Sequence, residues 1–405
     1  MARIGIWIIG ARGGLATTLI AGTHLMAAGR ATRTGMVTDL PAFAELPLFE
    51  PGDVVFGGHD IRDGDVHLSA LEIARANGSI PAEGLRAVDE QLAAAEAHIR
   101  PGTAFQGGPA IRDFVGRSVK SRETPKAAVA RLRRDIVEFK TSERLDRVVV
   151  VNLASTEPPP DAEPPRDAAG LLKALSTGRG LRAGSLYAAA AIAEGCPWIN
   201  FTPSVSAMND AVVDYARREG VPTAGSDGKT GETLVKSALA PMFAHRALRV
   251  LSWQGYNILG DRDGLVLSDP AHKASKVKSK DAVLRSVLGY APHTHVGIDY
   301  VPSLGDNKTA WDFIHFEGFL GHRMSMQFTW QGCDAVLAAP LVLDLCRLVD
   351  AAAVAGLSGP LPDLGFFFKS PIGSEEHDLH VQWERLTAFA GRLRPAPKRV
   401  ARRRR

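Results

Sequence analysis

A chain of 405 residues, 45% apolar and 23% charged, has the length to bury a large core over two or three domains, which excludes a disordered or fibrous protein. Its formal charge of +4 does not mark a nucleic-acid binder, because the last fourteen residues, RLRPAPKRVARRRR, hold eight Arg or Lys and no acid, and the rest of the chain stands at −4. Cys196, Cys333 and Cys346 form no CxxC pair, which excludes a disulfide framework or a cysteine zinc site. The start, MARIGIWIIGARGG, is too short and wrongly flanked for a signal peptide or a membrane span, so a cytoplasmic protein without a membrane partner is expected.

Residues 3–9, RIGIWII, are a short apolar run with the pattern of a buried parallel strand. The turn GARGG follows, then TTLIAGTHLMAAG, predicted as a helix ending near Gly29, and TGMVTD at 34–39 as the next strand. GARGG lacks the full GxGxxG spacing. It nevertheless follows an N-terminal strand and opens a helix whose N–H groups can take a pyrophosphate, so Gly10, Ala11, Arg12, Gly13 and Gly14 are candidate dinucleotide contacts. Two acids are candidates for the ribose: Asp39, ending the expected second strand, and Asp60 in FGGHDIRD.

Further along, LRAVDEQLAAAEAHI and PKAAVARLRRDIVEFKTS are predicted amphipathic helices, and DRVVVVNLASTEPPP another buried strand ending in a polar loop. Ligands of open parallel sheets sit at the carboxyl ends of strands, which nominates Asn152, Ser155 and Thr156, and after CPWINFTPS also Thr202 and Ser204. AGSDGKTGETLVKSALAPMF is a glycine-rich loop running into a helix, with Asp227, Lys229, Thr230, Gly231 and Thr233 where amides and hydroxyls can hold a phosphate. Its spacing does not fit a nucleotide P-loop. After residue 235, RVLSWQGYNILGD, THVGIDYVP, WDFIHFEGF and HRMSMQFTWQG alternate like antiparallel strands, and from 334 the chain is predicted to be helical again.

The stretch HKASKVKSKD gathers Lys273, Lys276, Lys278 and Lys280; on a helix over 275–288, Lys276 and Lys280 share a face while Lys273 and Lys278 point elsewhere. No aromatic or Arg residues interleave it, as a nucleic-acid patch would require. Lys308 in GDNK and Lys369 in the apolar GFFFKSP complete a set of amines suited to proton relay and oxyanion stabilisation.

GARGG, VNLASTEPP, EGCPWINFTPS, GSDGKTGETLVKS, YNILGDRDG, SKVKSK, GDNK and FFFKSP, in this order and approximate spacing over about residues 3–391, resemble the myo-inositol-1-phosphate synthase family, closest to its shorter, archaeal-type members. The resemblance implies an α/β fold: a Rossmann-type doubly wound parallel sheet at 1–235 and 340–391, an inserted α+β catalytic and oligomerisation domain at 236–339, and a basic disordered tail at 392–405. It implies a homotetramer and an NAD-dependent cyclisation of glucose 6-phosphate, in which C5 is oxidised, an enolate attacks C1, and the ketone is reduced back without net redox. By motif position, Lys276 and Lys308 would serve the C5 oxygen, Lys369 the C1 oxygen, and Lys280 the phosphate or C5 side. Asp227 and Asp306 would orient lysines; Thr230, Gly231, Glu232 and Thr233 would hold the phosphate; Asn257, Leu259 and Asp261 would line the site; and Asp60, in preference to Asp39, would meet the ribose. Asp261 and Glu232 depart from the Asn and Gln of eukaryotic members, which makes a divalent or monovalent cation held by Asp261, Asp263 or Glu232 a second candidate cofactor. The same departures keep open a paralogue that cyclises another sugar phosphate, such as fructose 6-phosphate, to a five-membered carbocycle.

Overall fold

Strand β1 (Ile4–Ile9) is buried along its whole length, as an apolar run in the middle of a parallel sheet must be. In a computed structural model describing residues 2–120, 122–260 and 283–394, it lies between β2 (Val54–Asp60) and β4 (Arg147–Asn152), parallel to both. With β3 (Ile99–Pro101), β5 (Trp198–Asn200), β6 (Pro222–Gly225) and β11 (Gly359–Pro360) the order is β11-β6-β5-β4-β1-β2-β3, every pair parallel. The strand period of two splits β1 between two cores: Ile4, Ile6 and Ile8 pack with the helices Gly14–Ala27 and Asp334–Val354, Trp7 and Ile9 with Pro125–Ser142 and Ala183–Ala193. This is the expected doubly wound α/β arrangement. Strand order reverses between β1 and β4, and ligands of such sheets bind at the carboxyl ends beside that reversal.

The strand expected at 34–39 does not form. Gly35 takes a φ of 98°, and Val37–Asp39 is a single 3-10 turn whose Val37 and Thr38 N–H groups donate to the Asp344 carboxylate at 2.6 and 3.1 Å. A backbone bonded to a side chain of a distant helix has no donors left for a ladder. β2 therefore begins only at Val54, Asp39 ends no strand and pairs with Arg33 at 2.7 Å, and Asp60 is the acid at the strand terminus.

A second sheet, in order β10-β9-β7-β8, is built from β7 (Arg249–Leu259), β8 (His293–Tyr300), β9 (Asn307–Glu317) and β10 (Arg323–Cys333). Its strands were expected to be antiparallel throughout, but β7 and β8 are parallel. The connection between them is long enough for a crossover, whereas β9 and β10 form a hairpin. The inner face places Trp253, Ile314 and Phe316 against Ala240 and Phe243 of the helix Gly231–His245. The domain joints expected at 235 and 339 fall inside this helix and inside Asp334–Val354, and the latter helix packs against strands of both sheets. Of the tail expected from 392, Leu393 is buried at the end of the helix Leu379–Leu393 and Arg392 pairs with Asp363 at 2.6 Å, and residues 395–405 lie outside the described residues.

That last helix is fastened to the loop before Gly231 by Lys229, whose amine donates to Gln382 and lies 5.8 Å from the centre of the Phe366 ring, with His377 close enough to sense its charge. Burial pushes Lys229 down to about 7. In the unfolded chain a lysine holds its proton up to roughly pH 10.4, so between these values the unfolded state binds more protons and stability rises with pH. In calorimetric melts, the wild type is expected to gain on Lys229→Met as pH is raised from about 7 to about 10. A difference that stays constant with pH would contradict this account.

Candidate active site

The carboxyl ends of β1, β2 and β4 open into a cavity of about 510 Å³ that continues to the start of the helix Gly231–His245 and the end of β7. At one end the glycine loop crosses the sheet. Gly10 has a φ of 84° and donates its N–H to the His59 carbonyl at 2.8 Å, and a Cβ there would stand 3.0 Å from the Ala154 backbone. Gly10, Arg12, Gly13 and Gly14 line the cavity, whereas Ala11 is fully buried with its methyl packed toward Gly58. No side chain caps the helix that begins at Gly14, which leaves its first N–H groups available to a ligand.

Asp60 accepts from the Arg12 N–H at 2.6 Å and the Arg62 N–H at 2.8 Å, so it is oriented by backbone and retains acceptor capacity toward the cavity it lines. Asn152, Ser155 and Thr156 after β4, and Thr202 and Ser204 after β5, line the same space. Asn152 donates to Asn200 at 3.1 Å, the Thr202 hydroxyl to Asn200 at 2.8 Å, and the Glu157 N–H to the Ser204 hydroxyl at 3.0 Å, which knits the two loops together. Glu157 also accepts from the Gly184 N–H and the Ser206 hydroxyl, and burial pushes its carboxyl up.

Charged pairs occupy the other end. The Lys369 amine sits 2.9 Å from Asp227, and its N–H donates to the Asp227 carbonyl at 2.7 Å, so one loop fixes both ends of the side chain. The Lys308 amine lies 3.0 Å from Asp334, the first residue of its helix. Asp306 was expected to orient a lysine; it lines the cavity within 3.5 Å of the Asn77 amide, and the described carboxylate on Lys308 is Asp334. Asp334 escaped notice in the sequence. Its signal was an acid at the junction of the last strand of the second sheet with a helix.

Thr230 precedes the helix and Gly231 opens it at a φ of 51°, with a Cβ position 3.5 Å from the Lys308 amine. The Thr233 hydroxyl lines the cavity, buried and without a hydrogen-bond partner among the described residues. Glu232 is answered by a residue that sequence reasoning did not select. Lys236, one helical turn on, lies 2.6 Å from it, and Asn257 donates to its other oxygen at 2.6 Å. Asn257 and Leu259 line the cavity from β7. Among the described residues no group of three His, Cys, Asp or Glu could hold a metal ion. Asp261, Asp263, Lys273, Lys276, Lys278 and Lys280 lie outside the described residues.

The residues present fit NAD: a loop with a positive-φ glycine that packs closely on its neighbour, an uncapped helix start, and an acid at the end of β2. Comparison with known proteins agrees. A family model described as myo-inositol-1-phosphate synthase, NAD-binding by its designation, matches residues 4–391. The chain is 35% identical to inositol-3-phosphate synthase 1 of Bacteroides thetaiotaomicron, over 94% of this chain and 93% of that one. It is 31% identical to inositol-3-phosphate synthase 1 of Rattus norvegicus over 82% of this chain, and the match spans 62% of that longer relative. In fold it is similar to the crystal structure of inositol-3-phosphate synthase from Caenorhabditis elegans, with a TM-score of 0.86 at 23% identity, covering 98% of this chain and 87% of that one. A family match over that span, with a bacterial relative this similar over nearly its full length, makes the chain a member of the myo-inositol-1-phosphate synthase family of NAD-dependent isomerases.

Proposed function

We propose that the chain cyclises glucose 6-phosphate to myo-inositol 1(3)-phosphate. The observation that carries this reading is the continuity of one cavity from the glycine loop and Asp60 to Lys308, Lys369 and the Thr230–Thr233 helix start. A dinucleotide and a sugar phosphate bound at its two ends would share the space between. The names of the curated relatives support the same substrate and do not favour the fructose 6-phosphate alternative.

NAD, when bound, supplies a hydride acceptor for the sugar C5 and returns the hydride later, so none is consumed. The remaining work falls to the chain. Gly10, Gly13 and Gly14 would let the pyrophosphate approach the loop, with Arg12 beside them, Asp60 would meet the ribose, and Asn152, Ser155, Thr156, Thr202 and Ser204 the rest of the cofactor. Thr230, Gly231 and Thr233 would bind the substrate phosphate at a helix start, where N–H groups and the helix dipole favour an anion. Glu232, already paired with Lys236, would contribute its backbone, and Asn257 and Leu259 would wall the site.

Lys308, held by Asp334, and Lys276, beside it by motif position, would serve the C5 oxygen during hydride transfer and enolisation, with Lys280 on the phosphate or C5 side. Lys369, held by Asp227, would stabilise the oxygen that becomes negative as C1 is attacked. Residues 1–235 and 340–391 would form the cofactor part and 236–339 the catalytic and tetramer-forming part. A cation at Asp261 or Asp263, and a cytoplasmic site of action, complete the proposal. No helix among the described residues is long and apolar enough to cross a membrane.

The homotetramer is supported by the outer face of the second sheet. Tyr256, Trp311, Phe313 and His315 form a row there with ring centres 5.9, 6.4 and 6.4 Å apart, and Trp311 is 38% exposed. An aromatic face of this kind marks a protein interface more often than a solvated surface.

Incubating the protein with glucose 6-phosphate and catalytic NAD+, with and without a divalent cation, should give a cyclitol phosphate by NMR without net NADH. No product, with fructose 6-phosphate turned over instead, would refute the substrate assignment. Lys369→Ala should lower product formation about 10²–10³-fold, the loss typical of removing one oxyanion-stabilising donor, while NADH still binds. Trp311→Glu should shift the mass in light scattering from tetramer to a smaller species; an unchanged mass would show that the interface lies elsewhere.

A further inference from the structure

Asp60 shares its end of the cavity with two cations. Arg12 of the glycine loop and Arg62, two residues past Asp60, both line it. In dinucleotide-binding folds an acid at this place takes the ribose 2′-hydroxyl of NAD, and a nearby arginine accommodates the 2′-phosphate of NADP. This chain carries both residue types, so its choice of cofactor depends on whether an arginine is free.

Neither is. Arg12 donates from Nε to Glu96 at 3.1 Å, from Nη2 to the same carboxylate, and from Nη1 to the Arg62 carbonyl at 2.8 Å. Arg62 donates from Nε to Asp60 at 3.3 Å. The Arg12 and Glu96 side chains are only 15% and 19% exposed, so solvent screens their pairing incompletely. Glu96 is itself steadied from outside the cavity, where it accepts the Val66 N–H at 3.0 Å. Two guanidinium groups and two carboxylates cancel, and Glu72 adds a further carboxylate along the same wall. A 2′-phosphate would meet Asp60 with no uncommitted cation beside it among the described residues.

We propose that Glu96, which does not line the cavity, is a specificity-determining residue that selects NAD over NADP by keeping Arg12 neutralised and turned aside. The inference rests on the reading of this cavity as the dinucleotide site. It makes Arg12 a phosphate-binding arginine held out of use, and it assigns a role to an ion pair that the cyclisation chemistry does not employ.

The test is a fluorescence titration of the full chain with NADH and with NADPH, which needs no substrate. Glu96→Gln keeps an oxygen to accept the Val66 N–H but loses the charge, and should lower the ratio of the NADPH to the NADH dissociation constant about tenfold or more. Adding Arg12→Met to Glu96→Gln should restore the wild-type ratio. Glu96→Ala, checked for folding by its thermal melt, supplies a second variant with the same expected direction. A ratio unchanged within about twofold in both folded variants would overturn the inference, as would a double variant that keeps the gain. Failure of the wild type to bind NADH would instead overturn the assignment of the cavity, and this inference with it.

Discussion

The site depends on one close approach. The loop after β1 passes so near the loop after β4 that a Cβ at position 10 would stand 3.0 Å from the Ala154 backbone, while the Gly10 N–H is fixed to the carbonyl of His59, the next-to-last residue of β2. Three neighbouring strands are thereby tied at their carboxyl ends, beside the place where strand order reverses. The cavity exists because helices leave on opposite faces of the sheet from that point, and the backbone between them stays unpaired by any strand.

Electrostatics then divide the cavity. At the end of the cavity beside the helix Gly231–His245, three described amines are each matched to a carboxylate: Lys369 to Asp227, Lys308 to Asp334, and Lys236 to Glu232. Ammonium groups gathered around an anion site repel one another, and a carboxylate behind each relieves that repulsion while setting the direction in which the amine points. Lys229, with a neutral amide and a ring as its described neighbours, is the one that burial brings down to about 7, and it serves the packing of the last helix. At the cofactor end the order is inverted, with acids in command and arginines committed.

The two sheets are joined so that the chemistry can belong to both. The helix Gly231–His245 presents its N-terminus to the cavity and its flank to Trp253, and the helix Asp334–Val354 brings Asp334 to Lys308 at one end and Asp344 to Thr38 farther along. Residues supplied by β7 and β9 therefore reach the cavity that opens at the ends of β1, β2 and β4.

Much of this was legible in the sequence. The buried strands RIGIWII and RVVVVN, the glycine loop, the polar loops after them and the helix following GSDGKTG all carry local signals in periodicity and turn chemistry, and local signals survive without a fold. Eight ordered motifs extended that reading to the family. What the sequence could not show was which polar groups meet. TGMVTD has the composition of a strand, yet Asp344, some three hundred residues away, claims its N–H groups, so the second strand begins only at Val54. The parallel pairing of β7 with β8 depends on a crossover rather than on alternation, which looks the same in either direction. Asp334 for Lys308, Lys236 for Glu232 and Glu96 for Arg12 are partners chosen by tertiary contact. By itself the sequence determined the buried strands at 4–9 and 147–152, the glycine-rich loops and the family; only the tertiary structure decided which carboxylate answers which cation, because a charge carries no local signature of its partner.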